Sequence, residues 1–168
     1  MQKVVITGHD LTVDQIIAVC REGAEVVLSD ESREKILASR QVVNELVEER
    51  KVVYGITTGF GKFSDVVISQ DECKLLQKNL IITHAVGAGD PFKEDIARGI
   101  LLLRVNSLSN GFSGICLETV ETMIAMLNKG VTPFIPEKGS LGASGDLAPL
   151  SHMVLPMIGL GMAWYKGE

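Results

Sequence analysis

Hydrophobic and polar positions along the chain fall into several distinct patterns. Lys3 to Thr7 is a short run rich in Val and Ile and reads as a strand. Thr12, with Gln15 three residues on, has the form of a capping box. The helix it opens would carry Ile16, Ile17, Val19 and Cys20 and stop at Gly23. Glu25 to Leu28 reads as a second short strand. From Asp30 to Arg50, Ile36, Leu37, Val43, Leu46 and Val47 recur at helical spacing and predict one apolar face. The opposite face is Glu, Arg and Lys, a solvated surface. Ser69 and Glu72 form another capping box, opening a helix to about Ala85 that Gly87, Gly89 and Pro91 end. A further helix is predicted from about Lys93 to Ser109, with Ile96, Ile100, Leu103 and Ser107 in line. The next runs from Ser113 to Lys129, with Leu117, Val120, Ile124 and Leu127 on one face and Gly130 as its C-terminal stop. The few residues around Gly111 between these two helices predict an antiparallel pair.

Two stretches fit no regular element. Val52 to Ser64 holds Gly55, Gly59 and Gly61 together with Thr57 and Thr58, and Gly139 to Gly145 holds three more glycines. The expectation is a mainly α chain with short β segments near its N-terminus and two glycine-rich loops, in one domain without internal repeats. The sequence stops at Trp164 to Glu168, directly after an apolar segment, and reads as a piece of a longer protein.

Composition narrows the class. The 168 residues are 46% hydrophobic and 22% charged, ordinary for a globular chain and wrong for disorder. A net charge of −5 with only five Phe, two Tyr and one Trp argues against nucleic acid, which attracts basic surfaces and stacking aromatics. Cys20, Cys73 and Cys116 are odd in number and widely separated, so they form neither a disulfide framework nor a metal knuckle. No metal-type spacing links the three histidines, and His9 and His152 read as ordinary structural residues. Met1 to Asp10 lacks a basic stretch followed by an apolar run. The longest apolar stretch, Met153 to Tyr165, is broken by Pro156, Gly159 and Gly161 and is too short for a bilayer. These features predict a cytoplasmic protein with no membrane partner.

The glycine loops exclude the familiar phosphate and nucleophile motifs. In Tyr54-Gly-Ile-Thr-Thr-Gly-Phe-Gly-Lys62, Ile56 stands where a P-loop needs its first Gly, and Phe63 where it needs Ser or Thr. Ser64 stands where GxGxxG needs its third Gly. In Gly139-Ser-Leu-Gly-Ala-Ser-Gly-Asp-Leu-Ala-Pro-Leu-Ser-His152, Ser144 is followed at once by Gly145, so the G-x-S-x-G elbow fails. A Ser144, His152, Asp146 triad is a weak alternative, because proximity in sequence says little about triad geometry.

Ala143-Ser144-Gly145 permits another chemistry. Glycine lacks Cβ, so its backbone can bend tightly enough to bring the Gly145 nitrogen onto the Ala143 carbonyl. Ring closure with loss of one water gives an imidazolone. Loss of a second water from the Ser144 side chain leaves an exocyclic methylene, a strong electrophile. The plain alternative is a glycine-rich turn before a helix N-capped by Asp146.

This stretch resembles the signature of the aromatic amino acid ammonia-lyase family, whose members build 4-methylidene-imidazol-5-one from Ala-Ser-Gly. Tyr54 to Gly61 is similar to the family's tyrosine loop. Gln77-Lys-Asn-Leu-Ile-Ile-Thr-His-Ala-Val-Gly-Ala-Gly89 is similar to its second active-site segment, and Arg104-Val-Asn-Ser-Leu-Ser-Asn-Gly-Phe-Ser-Gly114 to its third. The resemblance covers nearly the whole chain. It implies the lyase helical fold, with residues 1–168 as the N-terminal portion that carries the electrophile.

It also implies roles. Ala143, Ser144 and Gly145 would become the electrophile, Asp146 would help form it and Leu147 would sit beside it. Tyr54 would be the catalytic base, which requires its pKa, near 10 when free, to be lowered locally. Gly61 would lie along an amino acid substrate. Thr83 and His84 occupy the family's substrate-selecting pair and come closest to the histidine lyases, because a hydroxyl and an imidazole suit an imidazole substrate. The implied reaction is conversion of L-histidine to urocanate and ammonia. Tyrosine or phenylalanine lyases and aminomutases of the family remain alternatives, as does a non-enzymatic helical assembly module. His84 also admits a plain reading as a helix-terminal histidine bonded to a backbone carbonyl. The family's carboxylate-gripping residues lie downstream of this chain. Its active sites form in a homotetramer, so the chain alone is expected to be inactive.

Overall fold

A computed structural model describes residues 2–59, 70–143 and 145–166, and the side chains of 70, 71, 73 and 74 lie outside that description. β1 (Lys3–Ile6) and β2 (Glu25–Leu28) pair in parallel, Lys3 opposite Glu25 and Ile6 opposite Leu28. Their connection is α1 (Val13–Arg21). The strands obey the two-residue period of a half-buried sheet, with Val4, Ile6, Val26 and Leu28 buried. The capping box at Thr12 forms as the sequence predicts. The Thr12 hydroxyl accepts from the Gln15 N–H, and the Gln15 side chain accepts from the Thr12 N–H.

Three helices follow. They are α2 (Asp30–Glu48), α3 (Gln70–His84) and, beyond β3 (Ala88–Pro91), α4 (Glu94–Leu108). α5 (Leu117–Lys129) ends on Gly130 in the left-handed region at φ 70°, as its sequence signal predicts. β4 (Val131–Pro133), β5 (Pro136–Lys138), α6 (Leu147–Val154), a 3-10 turn (Leu155–Ile158) and β6 (Ala163–Tyr165) complete the order. β3 pairs antiparallel with β5, and β4 with β6. No described helix is long and apolar enough to cross a membrane. Among the described residues no group of three or more His, Cys, Asp or Glu is placed to hold a metal ion.

The core sits where α4 packs against α1 and α5, and α5 against β2. Leu101, Leu102, Val105, Val19, Val120 and Ile135 fill it. Two polar side chains fasten it. Arg98 is buried, and its Nη2 donates to Val19 O at 3.1 Å and Leu127 O at 3.2 Å, so one guanidinium caps the last turns of α1 and α5. Asn128 acts as an extra strand partner for β2: its Nδ2 donates to Val26 O at 2.9 Å and its Oδ1 accepts from Val26 N at 2.8 Å.

Four expectations change. The buried face of α4 is Ala97, Arg98, Leu101, Leu102, Val105 and Leu108, and Ile96 and Leu103 of the predicted stripe are exposed. Apolar residues surround this helix almost completely, so periodicity could not choose the face, and contacts with α1 and α5 do. Along α2 only Ile36 of the predicted stripe is fully buried, and Leu37 is exposed. α5 begins four residues later than expected. Ser113 to Cys116 stays out of the helix because Gly114 N donates to Ser39 Oγ at 3.0 Å and Gly114 O accepts from Arg40 Nη1 at 3.2 Å. The short strands β3 to β6 were not predicted. The Ser69 capping-box residue lies outside the described residues.

Candidate active site

Tyr54 stands in a turn that two buried threonines build. Ile56 N and Thr57 N donate to Val53 O at 3.1 and 3.0 Å, and Val53 N donates to Thr57 Oγ1 at 2.9 Å. Thr57 Oγ1 also donates to Lys51 O, and Thr58 Oγ1 to Gly59 O at 3.0 Å. Gly55 completes the turn at φ 74°. The threonines face inward while Tyr54 is 62% exposed. Gly61 lies outside the described residues.

Thr83 and His84 close α3 and share an anchor. Thr83 Oγ1 donates to Leu80 O at 3.1 Å, and His84 Nδ1 bonds the same carbonyl at 2.7 Å. A carbonyl only accepts, so this bond places a proton on His84 Nδ1, and in the neutral ring the lone pair is then on Nε2. The helix-terminal geometry of the plain reading is thus present, and it leaves Nε2 outside that bond. Ala85 N donates to Ile81 O at 3.1 Å and Val86 N to His84 O at 2.9 Å, so the chain stays bonded into the turn beyond the helix.

Ala143 and Gly145 are exposed on the loop before α6, and Ser144 itself lies outside the described residues. Gly142 has φ 122° and Gly145 φ 76°, backbone that glycine adopts readily, with open space where each Cβ would stand. Flexible glycine geometry on both sides of Ala143-Ser144 fits the tight turn that ring closure demands. Asp146 occupies the N-cap position of α6 without a side-chain capping bond, so its carboxylate is not spent on the helix end.

The fold brings the second and fourth motifs together. α3 packs on α6, β3 pairs with β5, and Gly87 N donates to His152 Nε2 at 2.9 Å. This commits the acceptor nitrogen of His152 to the backbone, which disposes of a Ser144-His152-Asp146 triad. Partial burial pushes the His152 pKa below its ordinary value. Leu147 is half-exposed and lines a cavity of about 640 Å³ with Leu80 and Ile81 of α3 and Arg104 of α4. From the third motif, Asn106 Nδ2 and Asn110 Nδ2 both donate to Gly8 O, at 3.2 and 2.9 Å, and tie α4 to the loop after β1. Sequence reasoning passed over His152 as ordinary. It closes the fourth motif, five residues after Leu147, and nothing in that spacing shows which backbone it meets.

A family model described as aromatic amino acid lyase matches residues 11–168. A curated histidine ammonia-lyase of Caldanaerobacter subterraneus subsp. tengcongensis is 61% identical over all 168 residues, which cover 33% of that protein. The crystal structure of histidine ammonia-lyase from Trypanosoma cruzi superposes with a TM-score of 0.91 at 41% identity, covering 99% of this chain and 32% of that one. Ergothionase from Treponema denticola, solved with desmethyl-ergothioneine sulfonic acid, gives a TM-score of 0.94 at 31% identity, covering 99% of this chain and 33% of that one. The chain thus spans about a third of the length of the curated relatives it matches. With helical architecture, motif order and the family match all in agreement, this chain belongs to the aromatic amino acid lyase family.

Proposed function

We propose that this chain is the electrophile-bearing, N-terminal portion of a cytoplasmic, homotetrameric histidine ammonia-lyase that converts L-histidine to urocanate and ammonia. The observation that carries this reading is the identity of 57–62% to four histidine ammonia-lyases along the whole chain. The state of His84 supports it. An Nε2 lone pair held in place by the Nδ1 bond to Leu80 O can accept the N–H of a substrate imidazole, which a phenyl ring does not offer.

The 4-methylidene-imidazol-5-one formed from Ala143, Ser144 and Gly145 supplies the electron sink that makes the substrate's β-proton removable. Tyr54, exposed on its threonine-braced turn, takes that proton. Thr83 and His84 orient the substrate side chain. Leu147 forms an apolar wall beside the reacting segment, and Asp146, with no capping duty, assists ring formation. Gly61, from its place in the tyrosine-loop motif, would lie along the substrate. The remaining carboxylate-binding groups come from the rest of the lyase and its neighbouring subunits, so the 168 residues alone release no urocanate.

The test joins these 168 residues to the remaining two thirds of the Caldanaerobacter relative and follows urocanate release. Histidine is expected to be used in preference to tyrosine and phenylalanine. His84→Leu is expected to lower kcat/KM for histidine about 100-fold, because it leaves the imidazole N–H without its partner. Preferential use of tyrosine or phenylalanine by the unsubstituted protein would overturn the substrate assignment.

A further inference from the structure

We propose that His152 is a positioning residue of the lyase reaction, whose imidazole latches Gly87, and through it the Thr83-His84 pair, to the helix that starts at the electrophile segment. The inference rests on the functional reading above and extends it to a residue that closes the fourth motif but was given no role there.

The latch is built from both sides. Gly87 N donates to His152 Nε2 at 2.9 Å across 65 residues of sequence. A methyl group on Gly87 would stand 3.0 Å from His152 Nε2, 3.0 Å from Pro136 Cβ and 3.1 Å from His152 Cδ2, so the imidazole and the proline hold this backbone closely. On the other side Gly139, at φ 131°, comes so near that a methyl group there would stand 2.9 Å from Gly87 Cα. Gly87 is therefore clasped between the start of the electrophile loop and the helix that follows it.

Both ends of the latch lead to reacting groups. Towards the substrate pair, Val86 N bonds His84 O and Ala85 N bonds Ile81 O, so a shift at Gly87 passes to His84 through a bonded turn. Towards the electrophile, His152 lies on α6 six residues after Asp146, about 9 Å along the helix axis at 1.5 Å per residue. Leu150 N donates to Asp146 O at 3.1 Å, which ties the helix start to the same rigid segment. The bond needs an unprotonated Nε2, because a backbone N–H can only donate. Partial burial favours that neutral ring.

Registry of this kind governs rate, since a misplacement of about 1 Å costs on the order of 100-fold. The experiment uses the completed protein described above, with His152→Asn, His152→Leu and His152→Gln. Asn keeps a polar side chain but is too short to reach Gly87, whereas Gln offers an acceptor at the reach of Nε2. Four quantities are compared: KM for histidine, kcat for histidine, the mass of the electrophile peptide, and hydrogen exchange of the 84–91 peptide. The expected result is a fall in kcat/KM of about 100-fold in H152N, faster exchange at 84–91, and an unchanged electrophile mass, with H152Q recovering kcat/KM to within about threefold. H152L gives the same result if it folds, and H152N decides the matter if it does not. An unchanged kcat/KM in H152N, or a loss in H152Q as large as in H152N, overturns the inference. Absence of urocanate from the unsubstituted protein defeats the functional reading instead. The exchange comparison between H152N and H152Q then still decides whether the latch exists.

Discussion

Leu101 and Leu141 are the same residue under opposite conditions. Leu101 has 0% of its surface exposed, and Leu141 has 100%. The first belongs to the end of the molecule where β1, β2, α1, α4 and α5 meet. The second belongs to the region where the close of α3 meets the loop before α6. At the core end Arg98 is tied down by two helix-terminal carbonyls, and Asn128 by the backbone of Val26. At the site end apolar side chains such as Val86, Leu141 and Leu147 face outward, around backbone bent at glycine. Buried packing is concentrated in the first region, and exposed side chains in the second.

Substitution should separate the two ends. Leu101→Ala leaves a cavity among Val19, Val105 and Val120, and is expected to destabilise by about 2–5 kcal/mol in urea unfolding. Leu141→Ala, with no packing to lose, should change stability by less than about 0.5 kcal/mol. A comparable loss from both would break the distinction. Gly139→Ala comes next in size. Its φ of 131° suits glycine alone, and its new methyl group would press on Gly87, so a cost of about 1–3 kcal/mol is expected from the same unfolding measurement.

The smallest effect is that of pH. Burial holds the folded His152 pKa below its unfolded value of about 6.5, so the folded state binds a proton less readily than the unfolded chain. The stability this represents is fully present above pH ~6.5 and is lost as pH falls through the folded pKa. Melting temperature should therefore decline on acidification below about pH 6.5, and His152→Gln should flatten that part of the curve. An identical slope in the variant would remove His152 from the effect.

Local signals carried much of the core end. The capping box at Thr12, the stop at Gly130 and the alternating strand residues Val4, Ile6, Val26 and Leu28 each act within a few residues, and each is where its pattern placed it. The face of α4 was not legible, because a helix apolar almost all round has its orientation chosen by distant neighbours. The strands β3 to β6 escaped because they are only three or four residues long, Pro stands in three of them, and their pairing is non-local. At the site end, chemical order along the chain revealed the segment Ala143 to Gly145 and the pair Thr83-His84. The Gly87–His152 bond joins residues 65 apart, and nothing in either neighbourhood announces it.

Assignment of the chemistry to the exposed end stands on one covalent change, and the mass of one peptide decides it. The peptide spanning residues 139–152, released by proteolysis from the completed protein, should weigh two waters less than its sequence. In the Ser144→Ala variant that deficit should fall to one water or less, because the second water leaves from the Ser144 hydroxyl. A full sequence mass in the unsubstituted, histidine-consuming protein would contradict the assignment and send the search for the electrophile elsewhere in the chain.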